Sequence, residues 1–441
     1  MQYYSLHNPE YKVSFETAVT EGMAPDKGLY FPETIPQLDA AFLENIHQYS
    51  DQEIGYQVIK AFVGDEIPED KLREIVAATL HFPFPIQKVS RASYALELFH
   101  GPTLAFKDVG ARFMAGCLGH FRRNAKKPVT VLVATSGDTG AAVASGFYNV
   151  PGVEVVILYP SRMVSTLQEK QLTSLGGNIQ ALEVLGTFDD CQRIVKTAFL
   201  DQELQAKRPL TSANSINVAR WLPQMFYYFI AYKQMKAAHP NIVFSVPSGN
   251  FGNICAGMMA AAIGLPVAHF IAATNVNDTI PRFMQSGKYE PGRAVPTLSN
   301  AMDVADPSNF VRILELYGKN FPQLAASMSS YSFNDKETAR VMERVWKESH
   351  YMLDPHGAVG YLGLQKYLAE DPDITGVFLE TAHPVKFEDT APKNIRDDIH
   401  TPSKVMSLYG KEKSSIVVAA DYQVVKKTLM HLEFRNSELS H

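Results

Sequence analysis

Four short segments carry residue types that can do chemistry together. The first is His100-Gly-Pro-Thr-Leu-Ala-Phe-Lys-Asp-Val-Gly110, a Gly/Pro-opened stretch that ends on Lys107. Ala111, Met114, Cys117, Leu118 and Phe121 follow at helical spacing, which puts Lys107 at or near a helix N-terminus. The positive end of a helix dipole disfavours an ammonium there. An amine poised to lose its proton is what Schiff-base chemistry requires. The competing reading is a solvated lysine, the common fate of that residue type.

The second and third segments resemble each other. Ala134-Thr-Ser-Gly-Asp-Thr-Gly140 sets two glycines and three hydroxyls around Asp138, after an apolar run. Pro247-Ser-Gly-Asn-Phe-Gly-Asn253 repeats the design, with Gly249 and Gly252 beside Ser248, Asn250 and Asn253. Glycines let backbone N–H groups turn inward, and a helix start adds a positive pole, so both loops can receive a carboxylate or phosphate. For the first loop a capped turn is an equal alternative. Neither is a P-loop, since no Gly-Lys-Ser/Thr follows, and neither carries G-x-G-x-x-G. The fourth segment is Glu380-Thr-Ala-His-Pro384, which offers the Thr381 hydroxyl at a strand end. His383 is a base by residue type, but a lone histidine before proline is more often structural. The chain has no H-E-x-x-H, Cys/His cluster or D-x-D-x-D-G, so a metal is not expected.

The elements that must position these loops show as an alternating pattern. Short β-branched runs at 129–134, 153–158, 179–184, 242–246, 270–273 and 376–379 read as buried strands. Small-residue or amphipathic runs at 140–147, around Leu167 and Leu172, and at 252–263 read as helices between them. Strands alternating with helices imply an α/β protein with parallel sheets, whose ligands sit at the carboxyl ends of strands. Upstream, helical spacing appears at 54–62 and 71–80, and Phe82-Pro-Phe-Pro85 interrupts the chain. The expected division is residues 1–90, 91–205 and 206–441: an N-terminal domain, a smaller α/β domain holding Lys107, and a larger one holding the 248–253 loop.

Composition narrows the function. The chain has 441 residues, 46% hydrophobic and 20% charged, with a net charge of −5, which suits a soluble globular protein of two or three domains. With no Lys/Arg-rich run, nucleic-acid binding is not expected. The longest apolar stretch, 255–273, is broken by Gly264 and Pro266 and reads as helix, turn and strand, so no membrane span is expected. Cys117, Cys191 and Cys255 form no C-x-x-C pair and read as buried thiols in a reducing compartment. Together with the absence of a signal pattern at the N-terminus, this makes the cytoplasm the expected location.

Taken in order, the motifs resemble the threonine synthase family, pyridoxal phosphate (PLP) enzymes of fold type II in the tryptophan synthase β-like class. The resemblance rests on Gly22-Met-Ala-Pro-Asp-Lys-Gly-Leu-Tyr-Phe-Pro-Glu33, Leu104-Ala-Phe-Lys-Asp108, the 134–140 loop and Leu167-Gln-Glu-Lys170. It continues through Ser212-Ala-Asn-Ser-Ile-Asn217, Ser248-Gly-Asn-Phe-Gly-Asn253, Ala273-Thr-Asn-Val-Asn-Asp278, Leu298-Ser-Asn-Ala-Met-Asp303 and Thr381-Ala-His-Pro384, spanning essentially the whole chain. The fold it implies is two open parallel-sheet domains plus an N-terminal domain. The reaction it implies takes O-phospho-L-homoserine and water to L-threonine and phosphate, in a monomer or homodimer.

The resemblance also distributes roles. Lys107 would bind PLP as a Schiff base and serve as general base. Ser248, Gly249, Asn250, Phe251, Gly252 and Asn253 would hold the cofactor phosphate, and Thr381 would meet the pyridine nitrogen. Ser136, Gly137, Asp138, Thr139 and Gly140 would receive the substrate carboxylate, with Asp138 either touching the cofactor's phenolic oxygen or only shaping the loop. Lys170 and Asn214 lead the candidates for the leaving phosphate. Arg162, Ser165, Ser215, Arg220 and Asn275 stand behind them, and each could instead be solvated or capping. The other readings are a related PLP lyase that releases a 2-oxo acid, and a non-catalytic sensor of the same fold.

Overall fold

The β-branched runs form strands because their side chains are buried on both faces. All six residues of Val129–Ala134 are buried, as are all six of Ile242–Pro247 and of His269–Thr274. This is the pattern of parallel strands covered by helices on each side. The computed structural model describes residues 1–434 except Pro240 and Pro372.

Two parallel sheets result. The larger has the spatial order Met328–Ser332, His269–Thr274, Ile242–Pro247, Thr375–Glu380, Ser93–Glu97, Ile86–Lys88, parallel except for the last strand. The smaller runs Ser415–Ala419, Ile179–Leu185, Val153–Pro160, Val129–Ala134, Leu210–Thr211, all parallel. A three-stranded antiparallel sheet of Lys12–Ser14, Gln2–Ser5 and Tyr30–Pro32 opens the chain. One hydrophobic core joins this N-terminal unit to both parallel sheets: Phe15, Phe62, Phe113, Phe147, Tyr228 and Phe244 all belong to it.

Sheet membership cuts across the division expected from sequence. Ser93–Glu97, assigned with the smaller domain, pairs with Thr375–Glu380 in the larger sheet. Leu210–Thr211 and Ser415–Ala419, assigned with the larger domain, pair into the smaller sheet. A linear division cannot see these pairings, because the Ser93–Glu97 strand pairs with residues 376–380, far along the chain. The consequence reaches the site. Ser93–Glu97, Thr375–Glu380 and Ile242–Pro247 are neighbours, so the loops after them, holding Lys107, Thr381 and residues 248–253, emerge side by side at one edge.

The three thiols are buried and free, on the helices Lys107–Arg122, Phe188–Leu200 and Gly252–Ala262. Among the described residues no helix is long and apolar enough to cross a membrane.

Candidate active site

Lys107 is the first residue of the helix Lys107–Arg122, and no side chain caps that helix. The loop before it is held from both sides. Asp108, buried, accepts from Thr103 N–H (2.8 Å) and Thr103 Oγ (2.7 Å), closing the loop on itself. Leu104 sits at φ +61°, a left-handed conformation costly for a branched side chain. It is fixed there by His383 N–H donating to its carbonyl at 3.0 Å. Phe106 N–H donates to Thr381 O at 2.9 Å, and Ala105 bridges to Ala382. The Thr381 segment is therefore the template on which the Lys107 loop is laid.

His383 takes a structural part in this arrangement. Its Nδ1 accepts from Val385 N–H at 3.2 Å, capping the turn Pro384–Thr390. Burial, then the charges of His100 and Lys404, push its imidazole down to about 4, so it is a neutral cap near neutral pH.

The 134–140 loop divides its labour between capping and electrostatics. Thr135 Oγ accepts from Gly137 N–H and Gly140 N–H, each at 2.9 Å. Ser136, Asp138 and Thr139 N–H have no such partner among the described residues. Gly137 stands at φ +142°, and a Cβ there would meet the Gln168 amide at 2.4 Å, so only glycine fits. Asp138 is no cap. It is buried, and its Oδ1 accepts from Lys386 Nζ at 2.6 Å and Gln168 Nε2 at 3.0 Å. Burial alone would raise its carboxyl, but Lys386 and then Lys107 hold it well below the usual range.

The 248–253 loop is shaped by close approach. A Cβ on Gly249 would lie 2.7 Å from Met302 Cα and 2.9 Å from Ala301 O. Phe251 is left-handed at φ +60°, directly before the helix Gly252–Ala262. Asn253 Oδ1 accepts from Tyr227 and Tyr228 hydroxyls at 2.8 and 2.7 Å, while its buried Nδ2 has no partner. Behind the loop, Ser215 Oγ accepts from Asn250 Nδ2 (3.2 Å) and Asn309 Nδ2 (3.0 Å). With two N–H groups on its oxygen, the Ser215 hydroxyl has its own proton left to donate.

Charge converges on Lys107. Its Nζ forms no hydrogen bond or ion pair among the described residues, apart from lying 5.6 Å from the Phe106 ring centre. Burial pushes its amine below the ordinary lysine range; Asp138 acts in the opposite sense, and Lys386 and Arg220 add to the lowering. Arg220 is 4% exposed, and its Nε and Nη1 are buried without partners. Burial pushes its guanidinium down to about 10. A buried, unpaired guanidinium is costly unless an anion meets it.

Three matches to family models cover the chain in succession: threonine synthase N terminus over residues 2–80, pyridoxal-phosphate dependent enzyme over 79–379, and threonine synthase C-terminal over 357–429. A threonine synthase of Escherichia coli K12 is 44% identical over 98% of this chain and 100% of its own length. This chain belongs to the threonine synthase family. Its fold is accordingly that of a fold type II PLP enzyme, and its cofactor is PLP. A crystal structure of the Escherichia coli threonine synthase superposes with a TM-score of 0.89 at 43% identity, covering 98% of this chain and 99% of the other. A PLP-bound threonine synthase from Brucella melitensis gives 0.89 at 33% identity over 98% and 99%.

The residues present fit that cofactor. A lysine amine depressed by burial, an orphaned amide at Asn253 and a glycine-lined cradle at 249–252 are what an aldehyde carrying a phosphate requires. Against the family-based expectations, four candidates stand elsewhere. Lys170 donates to the carbonyl of Lys411, and its helix, Thr166–Thr173, turns Gln168 to Asp138 and Gln171 to Thr103 O of the Lys107 loop instead. Helical geometry decides this: position 170 lies on another face from 168 and 171. Ser165 caps that helix in a reciprocal pair with Gln168. Asn275 is spent on Thr297, Ser299 and Asp303. Arg162 is exposed at φ +60°. Asn214, half-buried, lies next to Ser215 in the 212–217 segment.

Sequence reasoning missed Lys386, Gln168, Asn309 and Arg312. Lys386 had a signal: a lysine flanked by Val385 and Phe387 just past a strand end, where all three prove buried. Gln168 could be read as half of a capping box, but its second bond, to Asp138, is a tertiary contact.

Proposed function

We propose that the pocket around Lys107 converts O-phospho-L-homoserine and water into L-threonine and phosphate, by γ-elimination followed by addition of water at Cβ. The observation that carries this reading is an unpaired, half-buried amine at Lys107 under the influence of a buried guanidinium, Arg220, that has no counter-ion among the described residues. Threonine synthase relatives over the full chain support it.

Bound PLP supplies an electron sink conjugated to the substrate's Cα. The chain does the rest. The loop Ser248 to Asn253 holds the cofactor phosphate, with the Asn253 amide and the N–H groups that open the helix Gly252–Ala262 as donors. Thr381 presents a neutral hydroxyl to the ring nitrogen, which cannot fix a proton there as a carboxylate would. The N–H groups of Ser136, Asp138 and Thr139 receive the substrate carboxylate. Lys107 takes the proton from Cα, a role favoured by the lowering of its amine through burial. Arg220 and the Ser215 hydroxyl, with Asn214 beside them, meet the leaving phosphate, whose charge the acidic chain as a whole would repel. The three unpaired thiols support a reducing compartment, the cytoplasm, for this activity.

Replacement of Lys107 by alanine is the test. The variant is expected to lack the visible absorbance of the lysine-bound cofactor and to release neither threonine nor phosphate. A Lys107→Ala protein with normal turnover, or a wild-type protein yielding oxo acid plus ammonia, overturns the reading.

A further inference from the structure

Lys386 is the residue whose placement the reaction above does not use. Its side chain is fully buried, a costly position for an ammonium. Among the described residues it has two partners: Asp138 Oδ1 at 2.6 Å and Thr103 O at 2.8 Å. The first belongs to the 134–140 loop of the smaller sheet, the second to the Lys107 loop. Lys386 itself is set by its N–H bond to His383 O at 3.0 Å, in the turn after the Thr375–Glu380 strand. One ammonium thus ties together the three segments that surround Lys107.

The charges facing Lys107 are few. Asp138 comes from the helix Asp138–Phe147, Lys386 from the turn Pro384–Thr390, and Arg220 from the helix Val218–Trp221. On its own helix, Asp108 turns back to Thr103, and Arg112 donates to Ala78 O. Asp138 is therefore the one carboxylate among the groups acting on Lys107. Alone, a buried carboxylate acting on Lys107 would favour its ammonium form, which is neither nucleophile nor base. Bound to Lys386, it forms a neutral pair and leaves Lys107 exposed chiefly to burial and to the Arg220 cation.

We propose that Lys386 is a positioning residue that occupies Asp138, so that Lys107 stays a free amine. This rests on the reading of Lys107 as the working lysine and adds a residue that sets its protonation. Asp138 then has a role in either chemistry suggested for it, since its charge must be retained for the loop and cancelled for the lysine.

The test reads protonation directly. Full-length protein freed of cofactor is trace-labelled with acetic anhydride across a pH series, and the labelling of Lys107 is followed by peptide mass spectrometry. Lys386→Met should raise the midpoint by about one pH unit or more, the size expected for an opposite charge within a few ångströms. Asp138→Asn should lower it. The double variant should fall back below Lys386→Met, because the carboxylate that pins Lys107 is gone. Lys386→Arg should stay close to wild type. An unmoved midpoint in Lys386→Met overturns the proposal, as does a rise that persists in the double variant. If Lys386→Met does not fold, Asp138→Asn decides: a midpoint that fails to fall overturns it. Wild-type capture of added PLP at Lys107, followed by visible absorbance, is the control. Its failure sinks the function reading, whereas normal capture with unmoved variants sinks only the role of Lys386.

Discussion

Arg220 shows how a single side chain can be arranged for function against stability. It is buried, two of its nitrogens lack partners, and the carboxylate acting on it, Asp108, is engaged by Thr103. An uncompensated cation in that setting destabilises the protein until an anion arrives. Arg220→Met is therefore expected to keep or raise stability, by about 1–3 kcal/mol, while the KM for the phosphorylated substrate rises at least ~100-fold, since a buried charged contact of this kind is worth about 3 kcal/mol or more. Denaturant unfolding and steady-state kinetics read the two effects. Lost stability with unchanged KM would assign Arg220 to packing instead. Lys107 carries the same logic in milder form: burial depresses its amine, and the chain accepts that cost where the proton must move.

At the scale of elements, the site is a set of loops made rigid by tight backbone approach. The 248–253 loop lies against the turn Asn300–Met302, with room for glycine alone at 249. The same turn is anchored behind by His356. Its Nε2 accepts from Ala301 N–H at 3.2 Å, and its Nδ1 pairs with the buried Asp354 at 2.6 Å. An imidazole accepting on one nitrogen donates from the other, so Nδ1–H of His356 points at the Asp354 carboxylate. Asp354 in turn adjoins Glu380, whose carboxyl burial and then Asp354 push well above the usual range. The strand end bearing Thr381 and the 248–253 loop, proposed above to hold the cofactor phosphate, are thereby braced by one buried polar chain. Gly249→Ala must displace the Asn300–Met302 turn, a change costing about 1–3 kcal/mol. Equilibrium dialysis or absorbance titration with PLP should show retention weakened roughly 10-fold or more, with the Lys107 band still forming at saturating cofactor. Unaltered affinity would mean that the turn yields freely.

Across the whole molecule, Arg312 joins the N-terminal unit to the site. It is fully buried, and its donors reach Tyr30 O, Ser215 O, Ile216 O and Asn309 Oδ1, with no carboxylate among them. The Trp221 ring lies 5.0 Å from its guanidinium carbon. Asn217 makes a second tie, from its Nδ2 to Val19 O at 2.8 Å. The N-terminal unit therefore buttresses the 212–217 segment from behind, and Ser215 and Asn214 inherit their positions from it. Arg312→Met leaves three buried or half-buried carbonyls without these donors, a loss of at least ~3 kcal/mol at about 1 kcal/mol or more each. Denaturant unfolding should show it, and Arg312→Lys should recover only part. Stability within 1 kcal/mol of wild type, by the same measure, would remove Arg312 from this role.

Much of this was legible in one dimension. The runs that became Val129–Ala134, Ile242–Pro247 and Thr375–Glu380 are apolar and β-branched, so local composition selects the strand wherever they pack. The glycine loops and Lys107 announced themselves because turn chemistry and helix starts are local events. The ordered motifs carried the family, and with it the cofactor. What the sequence by itself determined is thus the set of elements and the chemical identity of the loops. Only the tertiary structure decided who meets whom. Ser93–Glu97 joins the larger sheet through pairing with Thr375–Glu380, a partner that no local pattern specifies. Lys170 and Gln168 sit two residues apart, yet helical rotation gives one to Lys411 and the other to Asp138. The apolar neighbours of Lys386 signal its burial, but only the fold gives it its partners, a carbonyl of the Lys107 loop and the carboxylate of Asp138. Burial and long-range pairing set the energies of charged groups, and both are properties of the folded chain rather than of its order.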